Sequence, residues 1–139
     1  MDRDSVVNTL PEAAPSGISA ADMDALVASS RASLQTGNAL AAIKVILEYP
    51  PYGCEDTIIA AATTAIVQAL ASVRSADTAA IVAALTRQEQ AILMKFLYRA
   101  FGTKQGQANG GILLHWHESL VASGGQALII KHLTDRRVL

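Results

Sequence analysis

The chain has 139 residues, a formal net charge of -1 and one cysteine, which excludes an internal disulfide framework and the basic surface that neutralises phosphates on nucleic acid or an anionic membrane. Apolar residues make up 51% of it but aromatics only 4%, and much of the apolar share is alanine, the strongest helix former and a poor filler of space. The length, within the roughly 100 to 200 residues usual for one domain, and this composition predict one all-α domain of many closely packed helices. Met1-Asp2-Arg3-Asp4 lacks the apolar stretch of a secretion signal, and the lone Cys54 fits a reducing cytoplasm.

Residues 1–18 hold Pro11, Pro15, Ser16 and Gly17 with no sustained apolar period, the pattern of a flexible or extended arm. The helical domain is expected over residues 19–139. Ser19 with Asp22 reads as a capping box, followed by Met23, Leu26 and Val27 on one face and by Gly37 as a C-terminal cap. Asn38 restarts the chain as a second cap, and Leu40, Ile43 and Leu47 keep helical spacing until Pro50 and Pro51 forbid continuation. A third, central helix is expected around Ile58, Ala62, Ile66, Leu70 and Val73, with Ile59 and Val67 widening the apolar stripe. This is the most membrane-like stretch, but it is shorter than the roughly 20 residues a span needs and is diluted by Thr63, Thr64 and Gln68.

Ser75 reads as the cap of a short helix carrying Ile81, Val82 and Leu85. Thr86 with Glu89 forms another capping box ahead of Ile92, Leu93, Phe96, Leu97 and Phe101, and Gly102 closes that helix. Residues 102–111 read as a polar loop. A sixth helix follows with Leu113, Trp116 and Leu120, ending at Gly124-Gly125, and a seventh with Leu128, Ile129 and Leu133. No stretch alternates as a half-buried strand does, so about seven short helices in an α-α superhelix or irregular bundle are expected.

The candidate chemistry is sparse. His115, His117 and Glu118 include the residue types of zinc sites and proton transfer, but histidines two apart on a helix point to different sides, whereas helical zinc motifs place them four apart. His117 therefore reads as a core-edge histidine bonded to backbone, with a small metal-dependent enzyme built on His115, His117 and His132 as the rival reading. Cys54 precedes Glu55 and Asp56, whose charge opposes thiolate formation, so it reads as structural. No serine sits in a G-x-S-x-G elbow, and Gly102-Thr103-Lys104-Gln105-Gly106 lacks the order of a phosphate-binding loop. Neither a cofactor nor a metal is expected. Trp116 is a core or interface residue by its spacing. Lys95, Arg99, Arg136 and Arg137 read as solvated charges, with Arg136 and Arg137 free to meet an acidic partner near the C-terminus, and these four with Trp116 are the candidate interface residues.

Leu93-Met94-Lys95-Phe96-Leu97-Tyr98-Arg99-Ala100-Phe101, then Leu113-Leu114-His115-Trp116-His117-Glu118, Gly124-Gly125 and Leu133-Thr134-Asp135-Arg136-Arg137 resemble in order and spacing the C-terminal half of actin-related protein 2/3 complex subunit 5. Gly37-Asn38, Ala41-Ala42 and Pro50-Pro51 extend the resemblance to about residues 34–139. It implies a helical, non-catalytic subunit of the assembly that nucleates branched actin filaments, at the cytoplasmic actin cytoskeleton. It also implies a core packed on the β-propeller subunit and subunit 4, and an N-terminal arm that reaches actin-related protein 2. Members of that family carry a longer, strongly acidic front segment with aromatics, whereas residues 1–33 here are short and have none. Outside the resemblance, a free-standing helical adaptor fits the same composition.

Overall fold

A computed structural model describes residues 17–125, which contain seven α-helices, one 3₁₀ turn and no strand. The helices are α1 (Ala20–Gln35), α2 (Ala39–Leu47), α3 (Asp56–Ala71), α4 (Thr78–Ala84), α5 (Arg87–Phe101), α6 (Lys104–Ala108) and α7 (Gly110–Gly124). The expected helix around Leu128, Ile129 and Leu133, and the arm up to Ser16, lie outside the described residues. Ile18, assigned from sequence to the end of that arm, packs against the core, and its carbonyl lies 3.6 Å from Cys54 Sγ. No single described helix is long and apolar enough to cross a membrane.

Local chemistry sets most boundaries. Ser19 accepts from the Asp22 N–H at 3.1 Å and the Asp22 carboxylate accepts from the Ser19 N–H at 3.2 Å, so both partners of the capping box satisfy a helix-end donor. α1 ends in a Schellman motif: Gly37 adopts φ +82° and donates to the Leu34 carbonyl, while Asn38 donates to the Ser33 carbonyl. The Asn38 side chain then accepts from Ala41 N–H and starts α2, so two residues make the whole turn. Ser75 does not act as expected. It opens the 3₁₀ turn Ser75–Asp77, and α4 begins only at Thr78, without a side-chain cap.

Residues 102–111 are also not a plain loop, because Lys104–Ala108 forms α6. Thr103 makes this possible, accepting from the Gly106 N–H at 2.9 Å and donating to the Ala100 carbonyl at 2.8 Å. Gly106 is the residue that lets α6 lie so close to the end of α5, since a Cβ there would fall 1.7 Å from the Ala100 oxygen.

α3 and α5 form the centre. α3 contacts α1, α2, α5, α6 and α7, as its wide apolar stripe requires. α5 is buried from Gln90 through Leu97 without a break, so it is enclosed on every side. α1 and α2 cover one flank, with Ser30 Oγ donating to the Ala42 carbonyl between them, and α7 covers another.

Two polar groups at the start of α5 lock neighbours onto it. Glu89 closes the Thr86 capping box through the Thr86 N–H at 2.9 Å and also takes Lys44 of α2 at 3.1 Å. Gln90 is buried, and its amide donates to the Val82 carbonyl at the end of α4 and to Ser123 Oγ on α7. Arg87 adds a 2.8 Å bond to the Ser123 carbonyl.

Burial raises the Glu89 carboxyl pKa, but the Thr86 N–H and then the Lys44 ammonium outweigh it, leaving the group below its ordinary value. Its contribution is therefore complete above the ordinary carboxylate pKa and is lost as pH falls through the lowered one. Urea unfolding followed between neutral and acid pH should show this loss, and Glu89→Gln should flatten that part of the curve. Gly106→Ala should cost about 1–3 kcal/mol by overpacking, whereas Gly111→Ala, with open space around its Cβ position, should not destabilise by steric clash in the same assay.

Candidate interaction surface

α7 carries the residues that sequence marked most strongly. Leu113, Trp116 and Leu120 share its inward face and are buried. The Trp116 indole is 1% exposed and its Nε1 donates to the Leu70 carbonyl at 3.3 Å. That carbonyl belongs to the last turn of α3, where helical acceptors lose their i+4 donor. Trp116 is thus core in this domain, filling the junction of α3 and α7 and capping a helix end at once.

Lys95 departs from expectation. Read from sequence as a solvated charge, it is 4% exposed, with Nζ 4.7 Å above the centre of the Tyr52 ring. The reason is its position in the enclosed stretch of α5, where every direction leads to another element and the ammonium is drawn to an aromatic face. Arg99, one turn on, is half-buried and lies 3.6 Å from Asp56 at the start of α3. Arg136, Arg137 and His132 lie outside the described residues.

The histidines diverge as their spacing predicts. His115 donates from Nε2 to the Ser75 carbonyl at 3.3 Å. His117 turns to α5, where Nε2 pairs with the Tyr98 hydroxyl at 3.0 Å and the two rings meet edge to face at 5.6 Å. The expected backbone partner of His117 is therefore a tyrosine hydroxyl, a side chain 19 positions away in sequence. Among the described residues no three His, Cys, Asp or Glu side chains converge as metal ligands. The glycine-rich segment after α5 spends the Gly106 N–H on Thr103.

The surface offers two other features. Tyr49, Ile112 and Leu114 are large apolar side chains left exposed. A shallow groove of about 470 Å³ lies between α1 and α3, lined by Asp24, Val27, Ala28, Arg31, Ala60 and Ala61. Sequence reasoning missed this groove, because alanines at helical spacing signal close packing as readily as an open channel.

The family model described as ARP2/3 complex 16 kDa subunit (p16-Arc) matches residues 2–139. The chain belongs to this family. The match reaches well upstream of residue 34, where the sequence resemblance began. Similar proteins include actin-related protein 2/3 complex subunit 5 of Saccharomyces cerevisiae, 29% identical over 109 residues, which is 78% of this chain and 71% of that one. Subunit 5-B of Xenopus laevis is 30% identical over 128 residues, 91% of this chain and 79% of that one. The subunit 5-like protein of Homo sapiens is 29% identical over 107 residues, covering 76% and 69%.

Trp116→Ala in this p16-Arc family member removes a buried aromatic and leaves the Leu70 acceptor without its indole donor. The expected cost is about 3–5 kcal/mol, read as a large drop in the melting temperature of the isolated chain. Trp116→Phe, which keeps most of the volume, should recover most of that loss.

Proposed function

We propose that this chain is a non-catalytic structural subunit of the ARP2/3 complex, which supports nucleation of branched actin filaments by bridging other subunits. The family match over residues 2–139 carries the reading, and the relatives' names describe them as subunit 5 of that complex. The geometry agrees with it. His117, Thr103 and Gln90 hold one helix to another, and His115 holds α7 to the 3₁₀ turn. A domain built this way is a rigid block, and a rigid block can fix the spacing of the proteins that dock on it.

The partners are the other subunits of the complex. The helical domain contacts the β-propeller subunit and subunit 4, and the N-terminal segment extends to actin-related protein 2. Arg99 at the edge of α5, with Arg136 and Arg137 further along the chain, supplies cations for acidic partner surfaces. The setting is the cytoplasmic actin cytoskeleton.

Reconstitution tests the reading. The full chain, mixed with the remaining subunits, should enter the assembly at one copy and support branch formation by pyrene-actin kinetics and filament imaging. Removing residues 1–16 should leave the domain's melting temperature unchanged and the chain in the assembly, while branch nucleation falls. Failure of the full chain to enter at all would overturn the proposal.

A further inference from the structure

α7 closes at a turn that sends the chain off its axis. Gly125 donates to the Val121 carbonyl at 2.6 Å and holds φ +67° with ψ -168°, a backbone conformation essentially reserved for glycine. Residues 126–139 follow it, and among them Ile129 and Leu133 fall one helical turn apart with Ile130 beside them. Two helices joined by so short a connection are antiparallel neighbours.

α5 and α7 together supply a surface on which such a neighbour can lie. Ser123 meets Arg87 and Gln90 at the start of α5, and His117 meets Tyr98 near its end, so these two helices also run antiparallel. Tyr98, Phe101 and His117 form a cluster of rings there, with centroids 5.6, 6.0 and 6.4 Å apart. All three are half-buried, as is Val121 one turn closer to Gly125, whereas Leu97, Ala100, Trp116 and Leu120 beside them are buried. The register then matches. His117 lies eight positions before Gly125 and Leu133 eight positions after it, each about 12 Å along a helix at 1.5 Å per residue. Val121 and Ile129 lie four positions to either side of the same glycine. A helix that doubles back at Gly125 brings Ile129 level with Val121 and Leu133 level with His117.

We propose that residues 126–139 return along α7 as a helix and seat Ile129 and Leu133 against Val121 and the rings of Tyr98, Phe101 and His117. Arg136 and Arg137 then lie about 5 Å beyond Leu133, at the end of the domain that holds Arg99 and Lys104, and form with them one cationic edge for an acidic surface of a neighbouring subunit. The edge rests on the structural-subunit reading above, and the seat does not. The tether favours this occupant over a separate chain, because a segment joined at Gly125 competes at an effective concentration of roughly millimolar. A helix also satisfies its own N–H and C=O groups, which an extended segment on two finished helices would leave to solvent.

NMR of the isotope-labelled full chain tests the seat. Nuclear Overhauser contacts should join the Ile129 and Leu133 methyls to the rings of Tyr98, Phe101 and His117, with helical carbon shifts along the segment. Leu133→Asp should erase those contacts and speed amide exchange after Gly125 by about tenfold or more. Should Leu133→Asp fail to fold, the contacts in the parent decide alone. Random-coil shifts over 126–139, or methyl contacts to a face other than the ring cluster, overturn the proposal. The cationic edge is read in the reconstituted assembly. There Arg136→Ala with Arg137→Ala should melt with the parent and lower retention, by a factor that shrinks as salt rises. Parent-like retention of that double variant overturns the edge. If the parent itself fails to enter the assembly, the subunit reading and the edge both fall, and the seat stands or falls on the NMR contacts, which need no other subunit.

Discussion

The enclosure of α5 is the constraint on which the rest of the domain depends. From Gln90 to Leu97 every residue is buried, so no single neighbouring helix can cover this one. Its apolar surface must be removed from water on all sides, at roughly 25 cal/mol for each Å². α3, α2, α6 and α7 are the elements that do so. α2 and α6 have only nine and five residues, and helices this short are marginal alone in water, so their stability comes from packing against this centre. The alanine-rich composition suits that task, because small side chains let several helices approach one axis.

Enclosure creates a polar problem that the structure answers at specific atoms. Gln90 and Lys95 fall on α5 where no solvent is within reach, and each is matched by a group from a different element: the end of α4 for Gln90, the Tyr52 ring for Lys95. Glu89 and Trp116 show the same economy from the helix ends. One carboxylate caps α5 and takes Lys44, and one indole fills the core and satisfies the end of α3. Buried polar groups that specify a partner also specify an arrangement, since a shifted helix would leave them unsatisfied. The result is a domain whose helices have one arrangement that satisfies all of these groups.

For the p16-Arc family, this shifts attention away from the most distinctive side chains. Trp116 and the histidines are conspicuous in the sequence, yet they act inward, holding α7 to α3, to α5 and to the 3₁₀ turn.

How much of this was legible beforehand follows from the range over which each interaction acts. Sequence alone determined the helix boundaries that rest on contacts within four residues: the Ser19–Asp22 and Thr86–Glu89 capping boxes, the Gly37-Asn38 turn and the stop at Pro50-Pro51. It also determined the separation of His115 from His117, because helical geometry fixes the angle between positions two apart, and the family, through the order of motifs around Trp116. Only tertiary structure decided what needed a distant partner. Ser75 lost its capping role to a 3₁₀ turn, and Lys95 was drawn inward because α5 is surrounded. Thr103 and Gly106 turned an apparent loop into α6 by fitting against Ala100, and Tyr98 rather than backbone received His117. The groove belongs with these, since whether alanines pack shut or line an open channel depends on the spacing of two helices that meet about 35 positions apart in the chain, a separation across which local sequence exerts no geometric control.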